Sequence, residues 1–233
     1  MKVSSRTVWL FDLDNTLHNA SGHAFGALNV SMSDYIVEHL GLERAAADAL
    51  RVHYWRRYGA TLLGLARHHG VDVHHFLAET HRLPGLESQV QGHAHDLAAL
   101  RRLPGRKLLL TNAPLDYARR VLDVLGLGRE FEALIGFESM CMFGQHRPKP
   151  DARMLRWLAV RLKVAPTRCV LVEDTLVHQK AARSVGMRTV WLQRWLRQAS
   201  RQRKHASPVD PARICRRPRY VDRRVYGLNE LLR

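Results

Sequence analysis

The stretch Val8-Trp9-Leu10-Phe11-Asp12-Leu13-Asp14-Asn15-Thr16-Leu17 constrains the fold more than any other part of the chain. Four bulky apolar residues in a row have the length and composition of a strand, and the run ends at two carboxylates spaced i, i+2, followed at once by Asn and Thr. A strand this apolar is expected to be covered on both faces, as in a parallel sheet flanked by helices. On such a sheet ligands collect beyond the carboxyl ends of the strands, so Asp12 and Asp14 would face a crevice and not the core. Taken alone, the same two acids would suit the cap of a turn equally well.

The rest of the chain decides between these readings. After the first strand the hydrophobic period changes to that of helices and keeps it through four segments, 23–40, 44–58, 60–69 and 73–82. Gly41, Gly59 and Gly70 close the first three, and Asp72 and Pro84 bracket the fourth. These form an expected small helical bundle with no strand of its own. From residue 88 onward helices and strands alternate: helix 89–103, strand 107–111, helix 115–125, strand 133–137, helix 152–162, strand 169–172, helix 177–185 and strand 189–192. A last short strand at Tyr220-Val221 and a helix over 227–232 complete the pattern. The rhythm predicts an α/β fold: a doubly wound, Rossmann-like parallel sheet, with residues 1–17 and 88–233 in the core domain and 18–87 inserted as an α-helical cap.

Composition narrows the class. No window approaches 18 uncharged apolar residues, and the N-terminal apolar run is broken by Asp12 and Asp14, which argues against a membrane span or signal peptide and for a cytoplasmic protein. Cys141, Cys169 and Cys215 are odd in number and lack CxxC spacing, so neither a disulfide framework nor a zinc site is expected. The formal charge is +16, and eight Lys/Arg against one acid, Asp210, fall between Arg194 and Pro218. With Pro208, Pro211 and Pro218 in it, that segment reads as a long basic loop. Nucleic acid could be bound only there, and no recognition helix, zinc finger or aromatic-interleaved basic face accompanies it, so that role is disfavoured.

Two later segments repeat the pattern of an apolar run followed by polar groups, and a third places a lysine between them. Lys107-Leu108-Leu109-Leu110 leads into Thr111-Asn112, Cys169-Val170-Leu171-Val172 leads into Glu173-Asp174, and between them Lys149 sits flanked by Pro148 and Pro150. In a doubly wound sheet these strand ends share one edge, so Asp12, Asp14, Thr111, Lys149, Glu173 and Asp174 are expected to converge. Carboxylates clustered without His or Cys ligands favour a hard, oxygen-seeking cation, here Mg²⁺, with a phosphate supplying further oxygens. Phosphoryl transfer needs an in-line nucleophile, positive charge on the phosphoryl oxygens and a proton for the leaving oxygen. Asp12 is the candidate nucleophile through an aspartyl phosphate, and Asp14 the candidate acid and base. Thr111, Asn112 and Lys149 are the candidate phosphate-binding groups, and Asp12, Asp14 through its carbonyl, Asp174 and Glu173 the candidate metal group.

This ordered set resembles the signature of the haloacid dehalogenase superfamily: DxDxT at Asp12-Leu13-Asp14-Asn15-Thr16, a strand-end Thr111, Lys149, and the acidic pair Glu173-Asp174. The resemblance spans essentially the whole chain. Dehalogenases in this superfamily form an ester at carbon and do not need a second acid two residues on, so Asp14 argues for a phosphatase. The cap run 50–65 and Leu110-Thr111-Asn112-Ala113 are similar to pyrimidine 5′-nucleotidases, which implies hydrolysis of UMP or CMP; a sugar phosphate or other small phosphomonoester is the alternative. Tyr54 and Tyr58, one helical turn apart, share a face, and aromatics at that spacing usually belong to a bundle core; they are also the cap candidates for stacking on a base, and Trp55 lies between them. The histidine pairs His68-His69 and His74-His75 read as solvated. Two departures stand out: His178 where related sequences often carry Asn, and a basic segment longer than a minimal member requires.

Overall fold

The structure is a computed structural model that describes residues 6–22, 24–202 and 216–233. The chain divides into two compact units, one formed by residues 1–21 and 90–233 and a second formed by 22–89.

The first unit opens with β1 (Val8–Phe11), whose four residues are all buried. Trp9 is fully enclosed yet keeps its indole N–H satisfied by the Pro104 carbonyl at 2.9 Å. The helical unit then intervenes. Its helices are α1 (Ala24–Leu40), α2 (Arg44–Tyr58), α3 (Thr61–His69), α4 (Val73–Thr80) and the single turn α5 (Leu86–Gln89). Gly59 and Gly70 end α2 and α3 at φ of 80° and 64°, a left-handed conformation that costs glycine little. Asp72 caps α4 by accepting from the His75 backbone N–H at 2.7 Å. Inside this unit Tyr35, Ile36, Tyr54, Leu62, Leu65, Phe76 and Leu77 are buried.

The first unit resumes with α6 (Ala94–Arg102), β2 (Arg106–Leu110), α7 (Leu115–Val124) and β3 (Ala133–Ile135). A two-stranded hairpin of β4 (Cys141–Met142) and β5 (Gln145–His146) follows, then α8 (Ala152–Arg161), β6 (Cys169–Glu173), α9 (Leu176–Ser184), β7 (Arg188–Leu192), α10 (Arg194–Gln202) and β8 (Arg223–Val225). Among the described residues the main sheet has six strands in the order β3-β2-β1-β6-β7-β8, every pair parallel. The chain runs outward from β1 through β2 to β3 on one side and through β6 and β7 to β8 on the other. The reversal falls between β1 and β6, where a doubly wound sheet opens its crevice. This is the α/β architecture expected from the sequence.

Several local expectations need correction. The anticipated helix 89–103 is split into α5 and α6, because the chain between them passes close against its neighbours: Asn19 N–H bonds the Gln91 carbonyl at 3.0 Å, and a Cβ on Gly92 would stand 2.6 Å from Leu125 Cδ2. The basic segment 194–218 is not simply a loop. Its first nine residues form α10, with Trp195 buried and Arg194 paired to Asp96; residues 203–215 lie outside the described residues. The last strand is Arg223–Val225 instead of Tyr220-Val221, since that register sets Val225 beside Leu192. The terminal helix is a 3₁₀ turn over Leu228–Leu232. The hairpin at 141–146 was not foreseen; its turn sets Phe143 and Gly144 at φ of 52° and 72° and leaves Phe143 exposed.

One polar clamp holds the far side of this unit together. Asp96 is buried on α6, where it accepts two hydrogen bonds from the Arg194 guanidinium and a third from the Leu228 backbone N–H at 2.8 Å. It thereby joins α6, the start of α10 and the C-terminal turn. Removing the carboxylate leaves a largely buried guanidinium and a buried N–H without an acceptor. Asp96→Ala is therefore expected to destabilise the protein by about 3 kcal/mol, read as a lowered midpoint in chemical denaturation.

Candidate active site

The β1–β6 register determines what meets at the sheet edge. Phe11 lies beside Val172, and the Asp12 N–H bonds the Val172 carbonyl at 3.0 Å, so the residues that follow, Asp12 and Glu173, emerge side by side. Both side chains are buried, and between them lies the ammonium of Lys149, itself buried. Lys149 Nζ donates to Asp12 Oδ1 and to Glu173 Oε2, each at 2.7 Å. Asp12 Oδ2 accepts from the Thr16 hydroxyl at 2.9 Å, so the fifth residue of the DxDxT run orients its first.

Lys149 reaches this position from the loop before α8, and Asn112 holds that loop. The Asn112 amide brackets the Lys149 peptide, donating to its carbonyl at 2.8 Å and accepting from its N–H at 2.9 Å. Asn112 was expected to bind substrate; its side chain is instead engaged in placing Lys149. Thr111 follows β2 directly, is buried, and accepts from the Ala113 N–H at 3.1 Å, which shapes the turn at the strand end. The β1–β2 register, Phe11 beside Leu109, carries Thr111 to the same edge as Asp12.

Glu173 and Asp174 end β6. Thr175 serves both, with its N–H to Glu173 Oε1 at 3.2 Å and its hydroxyl to Asp174 Oδ1 at 3.0 Å. Their carbonyls are also held: Gln179 donates to the Glu173 carbonyl at 2.9 Å and Trp191 Nε1 to that of Asp174 at 2.8 Å. His178 sits with Nδ1 3.0 Å from Glu173 Oε2, near enough to interact though not aligned for a shared hydrogen bond. A His at this position therefore faces the acidic pair.

Asp12, Glu173 and Asp174 each offer an oxygen within 4.8 Å of the others, the one such group among the described residues. Their electrostatics reveal a shortage of positive charge. Burial pushes the Asp12 carboxyl up to about 6, with Glu173 adding to the rise and Lys149 opposing it. Burial likewise raises Asp174 well above the usual carboxylate range, reinforced by Glu173 and Asp12. Burial works against ionised Glu173 too, but Lys149 and His178 outweigh it and hold this carboxyl low. Burial would lower Lys149, yet Asp12 and Glu173 hold it above its ordinary value and charged. One ammonium thus stands against two buried carboxylates and a third, Asp174, that is half-buried. A hard divalent cation fits this donor set in both charge and oxygen chemistry.

Asp14 goes elsewhere. Its Oδ1 accepts from the Tyr117 hydroxyl at 2.8 Å and lies 2.9 Å from His18 Nε2. The Asp14 carboxylate is therefore not part of the metal-type cluster, which leaves only its backbone carbonyl for that role. Burial, and then the Asp14 charge, pushes the Tyr117 hydroxyl far up, so it stays a donor. Sequence reasoning missed Tyr117, His18, Gln179 and Trp191. Asp14 and Tyr117 are 103 residues apart, and nothing local marks Tyr117 beyond being an aromatic on an amphipathic helix.

The cap candidates lie in the helical unit. Tyr54 is buried, its ring pressed over Gly64, where a Cβ would stand 2.2 Å from Tyr54 Cγ, and its hydroxyl is 2.8 Å from His69 Nε2. A ring so enclosed is bundle core and has no free face for a base. Tyr58 is half-buried with its hydroxyl 2.5 Å from His68 Nε2, and His75 pairs with Tyr35 at 2.9 Å. These histidines are exposed but tied to tyrosines instead of simply solvated. Of the three α2 aromatics, Trp55 is the one whose ring is open, at 60% exposure.

The chain is similar to known proteins in sequence and in fold. The chain is 26% identical over 207 residues to a phosphoglycolate phosphatase of Colwellia psychrerythraea, an alignment covering 82% of this chain and 86% of the relative. Its fold is similar to a haloacid dehalogenase-type phosphatase of Thermococcus onnurineus, with a TM-score of 0.58 at 21% identity over 97% of this chain and 95% of that one. It is also similar to the haloacid dehalogenase-type hydrolase YfnB of Bacillus subtilis in a magnesium-bound crystal form, with a TM-score of 0.56 at 17% identity over 97% and 96%. The family model of haloacid dehalogenase-like hydrolases matches residues 7–186, a span that takes in β1 with its two aspartates, the Lys149 loop and the acidic end of β6, and the chain belongs to that family.

Proposed function

We propose that the protein is a Mg²⁺-dependent phosphomonoesterase that works through an aspartyl phosphate. The observation that carries this reading is the buried Asp12–Lys149–Glu173 contact with Asp174 beside it, at the sheet's switch point. Asp12 attacks phosphorus while the bond to the leaving oxygen breaks, and Asp14 gives that oxygen its proton. Asp14 then takes a proton from water as the water oxygen attacks phosphorus, and the bond from phosphorus to Asp12 breaks to release phosphate. Lys149 orients Asp12 and neutralises part of its charge, which lets an anionic phosphoryl group approach a carboxylate. Thr111 and the backbone amides of its turn bind phosphoryl oxygens. Asp12, Asp174 and the Asp14 carbonyl would hold Mg²⁺, with Glu173 behind them. When bound, the ion supplies the positive charge that one ammonium lacks.

Two substrate readings follow from two observations. The similarity of the cap run 50–65 to pyrimidine 5′-nucleotidases, and the open ring of Trp55 within it, support UMP or CMP. Likeness to a phosphoglycolate phosphatase supports a smaller phosphomonoester, such as a glycolate or sugar phosphate. A phosphate-release screen over these compounds separates them. Turnover of UMP and CMP tenfold above the others, lost in Trp55→Ala but retained for p-nitrophenyl phosphate, is the result expected of a nucleotidase; preference for phosphoglycolate favours the second reading.

The chemistry itself is tested at Asp12. Asp12→Asn keeps the shape and one of the two acceptor oxygens but removes the nucleophile, so turnover of every substrate is expected to fall at least about a thousandfold with the fold intact by circular dichroism. Undiminished hydrolysis would sink the mechanism. Metal occupancy has its own readout. Saturating Mg²⁺ at about a hundred times its dissociation constant should stabilise the wild-type protein by about 2.7 kcal/mol in the absence of substrate. EDTA should reverse the gain, and Asp174→Asn should abolish it.

A further inference from the structure

The Asp14 carboxylate is held by one oxygen only. Tyr117 donates to Oδ1 at 2.8 Å and His18 Nε2 lies 2.9 Å from the same atom, while no described residue takes Oδ2. The two partners are built in and not incidental. Tyr117 is buried in the first turn of α7, the helix that follows the Thr111 turn, so the same segment that shapes that turn delivers the hydroxyl. His18 is buried as well, and its backbone bridges to Asp14 on one side and Gly92 on the other. The Asp14 side chain itself is one-fifth exposed. A buried hydroxyl and a buried imidazole that both converge on one carboxylate oxygen, leaving its twin open, fix the carboxylate's rotation.

We propose that Tyr117 and His18 are positioning residues that lock the Asp14 carboxylate through Oδ1, so that Oδ2 is the atom that carries the proton to the leaving group and from water. The proposal rests on the phosphatase reading above. With the Tyr117 hydroxyl and the His18 ring both gathered on Oδ1, Oδ2 is the carboxylate oxygen left to meet the reacting oxygen. As phosphorus passes to Asp12, the Oδ2 proton moves to the departing alkoxide and Asp14 is left as a carboxylate. The attacking water restores that proton in the second half of the reaction. Transfer of this kind requires the acid oxygen within hydrogen-bond reach of the reacting oxygen, which a freely rotating carboxylate meets only part of the time.

A structural role alone would weaken hydrolysis of all substrates equally; positioning of the acid would not. An alkyl phosphate such as UMP or phosphoglycolate needs the proton when its alkoxide leaves, whereas p-nitrophenyl phosphate departs as a stable phenolate. The quantity to measure is kcat/KM, which reports steps only through leaving-group departure and is blind to the later hydrolysis of the aspartyl phosphate. In Tyr117→Phe, the ratio of kcat/KM for p-nitrophenyl phosphate to that for the alkyl phosphate should rise about tenfold, the effect of losing one hydrogen bond to a charged group. His18→Leu should raise the ratio similarly, and His18→Gln, which keeps an amide donor, should recover part of it. If Tyr117→Phe does not fold, as judged by circular dichroism, the His18 pair carries the same comparison. An unchanged ratio in the folded variants, with both substrates falling together or neither falling, overturns the proposal and leaves the phosphatase reading standing. Absence of phosphate release from both substrates by the wild-type protein overturns both.

Discussion

The contact on which the site depends is the ammonium of Lys149 shared between Asp12 and Glu173, each 2.7 Å away. Burying three ionised groups is costly unless each is paired and hydrogen-bonded, and here the geometry supplies both. A compact ammonium with three donors can serve two carboxylates at once, where a planar guanidinium would favour one in a bidentate fork. Much of the surrounding chain serves this contact. The β1–β6 register brings the two acids side by side, Thr16 steadies the second oxygen of Asp12, and the Asn112 amide holds the backbone from which Lys149 projects.

The same contact explains why the site calls for ligands of both signs. Lys149 balances one carboxylate and part of a second, and the strain of the remainder appears at Asp12 and Asp174, whose carboxyls burial and mutual repulsion push upward. A divalent cation relieves that excess. On the proposed mechanism, such a cation would also lessen the repulsion that a phosphoryl group meets as it approaches Asp12. Gln179 and Trp191 matter here although neither is ionisable: by holding the carbonyls of Glu173 and Asp174 they fix the backbone from which the acidic pair projects.

The division between what the sequence revealed and what it hid has a physical cause. Asp12, Thr111 and the Glu173-Asp174 pair were legible because each ends an apolar strand, and a parallel sheet sends all its strand ends to one edge. Lys149 was legible as an ordered motif residue, but its loop carried no sign that Asn112 would hold it from 37 residues away. Tyr117, Gln179 and Trp191 were hidden because their polar atoms act across the fold while their rings and stems look like ordinary core. Where residue type outweighed periodicity, the reading failed. Prolines and charge suggested a loop over 194–218, yet the apolar face bearing Trp195 and the Arg194–Asp96 pair make its first nine residues a helix. Tyr54 could be read as a stacking residue or as bundle core, and its burial against Gly64 places it in the core.

Asp12 and Asp14 show how much environment adds to residue type. They lie two positions apart in one turn, chemically identical, and the chain beyond β1 sends them to different surroundings. Asp12 meets a buried cation and two other acids; Asp14 meets a phenol and an imidazole in a wall that leaves it partly open. A cation beside a carboxylate favours the ionised form and suits a nucleophile. Donors gathered on a single oxygen favour a fixed orientation and suit a group whose task is to pass a proton in one direction and then accept it back. On the proposed mechanism, the pairing of unlike tasks on like residues depends on Lys149, Tyr117 and His18, three groups outside the DxDxT run. The run alone could not have divided the work between its two acids.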